Sequence, residues 1–156
     1  MKKILTATIA TTLLLSSSAV NAEAAKSEKH AQRSVELRQS VFKLLGSNMG
    51  PLGAMAKGKI AFDAKAVEKH ALRINQLSHM IADYTKTDTS RFDVKTEALN
   101  KIWQQPEEFS KRINALSVSS ENLMKTAATG NESAIKKAIG GVGQSCGGCH
   151  DNFKKD

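Results

Sequence analysis

Near the end of this chain, two cysteines and a histidine have the spacing of a covalent haem site. The sequence there reads Cys146, Gly147, Gly148, Cys149, His150. In a Cys-x-x-Cys-His motif each thiol adds across a haem vinyl group and the histidine ligates the iron. On a helix, residues at i, i+3 and i+4 share one face, so Cys146, Cys149 and His150 can all address one porphyrin. The motif predicts one covalent haem c, anchored by the two cysteines and ligated by His150.

Two other uses of a Cys-x-x-Cys pair have to be weighed against haem attachment. A redox dithiol normally opens a helix after a strand, and no such pattern precedes Cys146. A zinc site needs four ligands, and the other histidines lie far upstream without partner cysteines. These histidines are His30, His70 and His79. Haem attachment is the favoured interpretation, and an oxidised disulfide or a free dithiol is the alternative.

The N-terminal segment has the organisation of a secretory signal peptide. Residues 1–3 contain two lysines and form a positively charged start. Residues 4–15 form an apolar run interrupted by threonine and alanine, and residues 20–22 form a small-residue cleavage site. The apolar run is too short to span a bilayer. We expect cleavage after Ala22, with Ala24 as the alternative, and a mature domain of residues 23–156 in the periplasm. Covalent haem attachment belongs in the same compartment, so the two features agree.

The charge of the chain indicates a basic surface without a nucleic-acid signature. The formal net charge is +8, which falls to about +6 once Lys2 and Lys3 leave with the signal peptide. Aromatic residues are few and are not interleaved with dense basic runs. A solvated basic surface is the favoured interpretation, with an acidic electron-transfer partner as the alternative.

Four apolar stripes at helical spacing predict four helices, and no segment alternates with period two. The first helix is expected from about Ser27 to Ser47, ending at the break formed by residues 50–53. Asp63 should cap the second, Pro106 should begin the third, and Asn131 should cap the fourth. The stripes are Val35, Arg38, Val41, Phe42, Leu45 and Met49; Val67, Ala71, Ile74, Leu77, Ser78 and Ile81; Phe109, Ile113, Leu116, Ser120, Leu123 and Ala127; and Ile135, Ile139, Val142, Cys146, Cys149 and Phe153.

Two residues of the first stripe are candidates for contact with a haem. Arg38 lies on the buried stripe, where an arginine either reaches the edge of the core or pairs with an anion such as a haem propionate. Phe42 lies one turn further and either covers a haem face or is simple core, and simple core is the safer interpretation. Met49 is expected at the far end of the helix, as a core residue.

Two further segments carry expectations about packing. Residues 85–105 form a crossover without a clear stripe, whose aromatic residues, including Trp103, should pack against the bundle or the haem edge. Gly140, Gly141 and Gly143 each cost the last helix about 1 kcal/mol relative to alanine. Close approach of the porphyrin or of a neighbouring helix would explain them, and a local break in the helix is the alternative.

Taken together, these residues resemble the cytochromes c′, the class II c-type cytochromes. The resemblance covers the mature chain and rests on an ordered set of short motifs: Arg38-Gln39, Asn48-Met49-Gly50, Lys57-Gly58, Phe62-Asp63, Ile102-Trp103, Pro106, and Gly140 through Phe153. It implies an all-α fold, an antiparallel four-helix bundle with covalently bound haem. It also implies a homodimer packed through the first two helices and a high-spin, pentacoordinate iron.

The resemblance also implies roles for individual residues. Phe42 falls where the family keeps an apolar residue over the vacant distal face, and Arg38 where it has a basic residue near a propionate. His150 would be the proximal ligand. Lys154 falls where many members have an arginine close to that histidine, and a lysine lacks the planar fork of an arginine.

The function that the resemblance implies follows from an open iron coordination site. Low-spin relatives take a methionine from the first helix as a distal ligand, whereas the inward positions here are Arg38 and Phe42. An apolar pocket admits small uncharged gases, so nitric oxide and carbon monoxide are the expected ligands, with nitric oxide detoxification or one-electron transfer as the role. A low-spin electron carrier using Met49 is the alternative. We do not expect an enzyme, because no histidine is placed for peroxidase-like acid-base chemistry.

Overall fold

The computed structural model describes residues 22–155, which form four long helices, one short helix and a pair of two-residue strands. The elements are β1 (Glu23–Ala24), α1 (Glu28–Ala56), α2 (Ala64–Thr85), β2 (Thr87–Asp88), α3 (Lys101–Gln104), α4 (Pro106–Ala127) and α5 (Glu132–Phe153). The long helices form an antiparallel bundle around one hydrophobic core, which confirms the predicted all-α four-helix bundle. The predicted signal peptide lies outside the described residues except for Ala22. Within residues 22–155, no helix is long and apolar enough to cross a membrane.

The last three long helices begin at the residues that the local sequence signals predicted. Oδ1 of Asp63 accepts hydrogen bonds from the first backbone N–H groups of α2, and Oδ1 of Asn131 accepts one from the N–H of Ala134 in α5. Pro106 occupies the first turn of α4, where its missing N–H costs nothing. Gly130 has φ +69°, a left-handed conformation that separates α4 from α5.

The predicted end of α1 was wrong, because the helix continues through Pro51 to Ala56. A proline inside a helix removes one hydrogen bond and costs about 3 kcal/mol. The carbonyl that loses its partner belongs to Ser47, on the exposed side, where water can satisfy it. The extension buries Leu52 and Met55 in the core, which contributes about 1.5–3 kcal/mol for each. Burial therefore outweighs the break, and Met49 is an internal residue of α1 rather than its end.

The crossover between α2 and α4 is tied to three parts of the bundle. The N–H of Leu99 donates to the carbonyl of Phe153, and Ala98 pairs with Lys154 at the end of α5. A hydrogen bond of 3.3 Å joins Arg38 of α1 to Thr96. The segment also contains α3, and β2 at its start pairs in parallel with β1. Sequence periodicity gave no signal for these strands, because two residues are too few to show an alternation.

Two sets of contacts fix how α1 and α5 lie side by side. Arg38 and Phe153 both lie against the short crossover stretch 95–99. At the other end, Cε of Met49 lies 3.8 Å from the position that a Cβ on Gly143 would occupy. Because α1 and α5 are antiparallel, residue numbers rise along α1 in the direction in which they fall along α5. Phe42, four residues after Arg38, therefore lies level with about residue 150. We infer that Phe42 and His150 lie at about the same height in the bundle.

Candidate functional site

Helix α5 carries the cysteine-histidine motif without interruption. Because α5 runs unbroken to Phe153, Cys146, Cys149 and His150 keep the i, i+3, i+4 relation of one helical face. Both thiols are half-buried against the core, and His150 is exposed. The motif therefore lies at the boundary between the core and solvent, with its sulfur atoms on the inner side.

Burial holds both thiols in their protonated form in the chain without haem. It raises the pKa of Cys146, and it raises the pKa of Cys149 to about 11, where the neighbouring Cys146 adds to the effect and Arg112 opposes it. The two cysteines are free thiols, with no disulfide between them. Thioether formation would use both thiols in this reduced form.

The glycines of α5 have different surroundings along the helix. A Cβ added to Gly140 or Gly141 would meet no atom within 4 Å, so the predicted close approach of a neighbouring helix was wrong for these two. The local break was also wrong, because α5 is continuous. Gly148 is the crowded position, since a Cβ there would lie 3.3 Å from Nη1 of Arg112. A side chain at Gly148 would therefore displace the end of Arg112, a cationic side chain of α4, by a few tenths of an ångström.

Arg38 is buried deep in the bundle with part of its hydrogen-bonding capacity unused. Its side chain is 2% exposed, and burial lowers its pKa. Nη2 donates to Oγ1 of Thr96 at 3.3 Å, and the guanidinium carbon lies 5.4 Å from the ring centroid of Trp103. Nη1 is buried and has no hydrogen-bond partner within the described part of the chain. A buried cation with a free donor is suited to bind a carboxylate.

Phe42 lies one turn from Arg38, at the height of His150. It is 38% exposed, so the interpretation of this residue as simple core was wrong. Helix α1 packs more extensively against α2 than against α5, the helix that carries the cysteines. An apolar ring with no complete covering is consistent with a position over one face of a flat cofactor.

The other candidate iron ligands lie away from Phe42 and His150. Met49 is seven residues beyond Phe42, about 10 Å along the axis of α1, and it packs against the core beside Gly143. Nδ1 of His70 lies 2.9 Å from Oδ1 of Asn48, between α1 and α2.

The two remaining histidines are also engaged at other places in the fold. His79 contacts Ser117 between α2 and α4, with 3.2 Å from Nε2 to Oγ. His30 accepts a hydrogen bond from the backbone of Lys26 at the start of α1. None of these contacts involves the cysteine-histidine motif.

Lys154 does not reproduce a planar arginine beside His150. Its Nζ lies 3.1 Å from Oε2 of Glu97 in the crossover, and it also donates to the carbonyl of Lys155. Both partners are largely exposed, so the pair contributes at most about 1 kcal/mol. Its main effect is to hold the crossover against the end of α5.

The residues at this site fit a covalently attached haem. The two half-buried thiols would supply attachment, His150 would supply an imidazole ligand, and the free Nη1 of Arg38 would supply a donor for a carboxylate. Sequence reasoning missed the residues that surround them. These are Thr96, Glu97 and Arg112, whose roles depend on contacts between elements far apart in the chain.

Comparison with known proteins gives one family. The sequence model of the family described as Cytochrome C' matches residues 33–154. The cytochrome c' of Cereibacter sphaeroides is 33% identical over 156 residues, with 99% of this chain and 98% of that protein covered.

Solved structures agree with the sequence comparison. Cytochrome c prime from Shewanella frigidimarina superposes with a TM-score of 0.74 at 35% identity, covering 81% of this chain and 97% of that one. A nitric oxide complex of a variant of cytochrome c prime from Alcaligenes xylosoxidans has a TM-score of 0.72 at 25% identity, covering 81% and 97%. The chain belongs to the cytochrome c′ family.

Proposed function

We propose that this protein carries one haem c with a pentacoordinate, high-spin iron that binds nitric oxide and carbon monoxide. The bound haem would supply the gas-binding iron and a one-electron redox couple. The observation that carries the proposal is the height of Phe42, an apolar side chain level with His150 where a sixth ligand would have to come from α1. The nitric oxide complex of the Alcaligenes xylosoxidans relative supports the choice of ligand. Nitric oxide binding or detoxification is the corresponding role, and the protein is not proposed to be an enzyme.

Each of the site residues has a separate proposed role. Cys146 and Cys149 would hold the haem covalently on α5, and His150 would ligate the iron. Arg38 would bind a propionate through its free Nη1. Phe42 offers no donor or acceptor, so beside a bound haem it would disfavour charged and hydrogen-bonding ligands relative to an uncharged diatomic gas.

The alternative is a low-spin electron carrier with Met49 as the sixth ligand. Met49 lies on the side of α1 that contacts α5, as such a ligand must. Met49 lies about 10 Å along the helix axis from Phe42, and this distance argues against Met49 as the sixth ligand. Met49→Leu conserves volume and removes the thioether, so we expect unchanged ferric and ferrous absorption spectra. A shift from a low-spin to a high-spin spectrum in this variant would establish the alternative instead.

The proposed location is the periplasm, after cleavage of the signal peptide behind Ala22. The contacts of the first residues support this cleavage site. The N–H of Glu23 donates to the carbonyl of Lys86 at 3.0 Å, and the N–H of Ala25 donates to that of Asp88 at 2.8 Å. Cleavage after Ala24 would delete β1, whereas cleavage after Ala22 retains it.

The proposed assembly is a homodimer through α1 and α2. Large apolar side chains are exposed on both helices, including Leu37 and Leu44 on α1 and Leu72 on α2. Native mass spectrometry of the periplasmic protein tests the location and the assembly together. We expect a dimer whose subunits begin at Glu23. A subunit that retains residues 1–22 would contradict the processing, and a monomer at micromolar concentration would contradict the dimer.

A further inference from the structure

We propose that Trp103 is a positioning residue that holds the Arg38 guanidinium in the orientation needed to bind an anion. The inference rests on the proposed contact between Arg38 and a haem propionate and adds the residue that makes this contact specific. It comes from the packing of the crossover against α1, which the cysteine-histidine motif does not involve.

The side chain of Arg38 needs an external constraint. It is buried, yet among residues 22–155 only one hydrogen bond holds its guanidinium, the 3.3 Å contact from Nη2 to Oγ1 of Thr96. A single long hydrogen bond leaves the plane of the guanidinium free to turn. Nη1 has no partner in the described structure, so no hydrogen bond fixes its direction.

Trp103 provides that constraint. Its ring centroid lies 5.4 Å from the guanidinium carbon, within the range of a cation–π interaction. The ring is itself fixed, because its Nε1 donates a hydrogen bond of 2.8 Å to the carbonyl of Thr85 at the end of α2. Its neighbour Ile102 is buried in the core, which anchors α3. An aromatic ring held by its own hydrogen bond therefore lies beside a buried cation. One N–H group of that cation has no hydrogen-bond partner among the described residues.

The orientation of Arg38 has electrostatic consequences for a haem. A fixed cation beside a propionate favours the ionised carboxylate and lowers its pKa. The same positive charge disfavours the ferric state, which carries one more positive charge than the ferrous state, and so raises the reduction potential. If Trp103 only filled space, its replacement would alter stability and leave these two properties in place.

The test measures the reduction potential of the holoprotein as a function of pH in four single variants and one double variant. Arg38→Gln removes the cation, and Trp103→Leu removes the aromatic face. Trp103→Phe keeps an aromatic ring but loses the hydrogen bond to Thr85. Phe92→Leu is the matched control, because Phe92 is a half-buried aromatic residue of the same crossover, and within residues 22–155 the cation–π contact of Arg38 is with Trp103.

We expect Arg38→Gln to shift the ferric–ferrous equilibrium toward ferric by about tenfold, which is about 59 mV for one electron. Trp103→Leu should shift it in the same direction by roughly threefold and raise the propionate pKa seen in the pH dependence. Trp103→Phe should retain most of the wild-type potential, and Phe92→Leu should match the wild type. Combining Trp103→Leu with Arg38→Gln should add nothing to Arg38→Gln alone, because the ring acts through the guanidinium.

The possible failures are distinguishable. A potential unchanged by Arg38→Gln would contradict the proposed contact between Arg38 and the haem. A potential that responds to Arg38→Gln but changes no more in Trp103→Leu than in Phe92→Leu would overturn the role of Trp103 and leave the Arg38 contact standing. Additive effects in the double variant would likewise show that Trp103 acts independently of Arg38.

Discussion

Replacing both Cys146 and Cys149 with serine is expected to abolish covalent haem retention. Serine preserves the size and the helical positions of the two side chains, but a hydroxyl does not form the thioether. After denaturing electrophoresis the variant should show no haem stain, and its mass should equal that of the polypeptide alone. Each single variant should keep one thioether and stain more weakly than the wild type.

A neighbouring position provides the control for this experiment. Ser145 lies next to the motif and donates hydrogen bonds within α5 and to α4, so Ser145→Ala changes the same turn of helix without touching a thiol. It should retain full haem stain. Covalent haem in the double cysteine variant would contradict the assignment of the attachment site.

Phe42→Met is expected to convert the high-spin iron to a low-spin state. Phe42 lies level with His150, so a methionine there places a thioether opposite the proximal ligand, within reach through an unbranched side chain. Nitric oxide would then have to displace the thioether. If the open form is about a tenth of the population, the apparent affinity for nitric oxide falls roughly tenfold. Absorption spectra and nitric oxide titration of the ferrous protein measure both effects.

Two control variants make the result specific to position 42. Phe42→Leu keeps an apolar side chain without a ligand atom and should remain high-spin. Leu44→Met places a methionine two residues further on α1 at an exposed position, and it should leave the spectrum unchanged. A high-spin Phe42→Met variant with wild-type affinity for nitric oxide would show that Phe42 does not lie over the iron.

Much of the fold and the central residues of the candidate site could be predicted from local sequence signals. The spacing of Cys146, Cys149 and His150 needs only a continuous helix to bring the three together, and the structure has that helix. Asp63 and Asn131 cap their helices through contacts with N–H groups two or three residues away, so they too can be identified from sequence.

Other features depend on contacts between distant elements and could not be predicted in the same way. The effect of Pro51 on α1 was decided by the burial of Leu52 and Met55, which a local breaker signal does not include. The placement of Trp103 beside Arg38 joins residues of the crossover and of α1, and no spacing rule connects them. Periodicity assigned Phe42 to the apolar stripe but could not show that this part of the stripe is incompletely covered.

The absorption spectrum of the periplasmically matured protein, ferric and ferrous, before and after addition of nitric oxide, tests the central claim most directly. A pentacoordinate iron opposite Phe42 predicts a high-spin spectrum in both oxidation states, with a clear shift when the gas binds to the ferrous protein. A low-spin spectrum that is indifferent to nitric oxide would contradict the account, because it would mean that a protein side chain occupies the sixth coordination position.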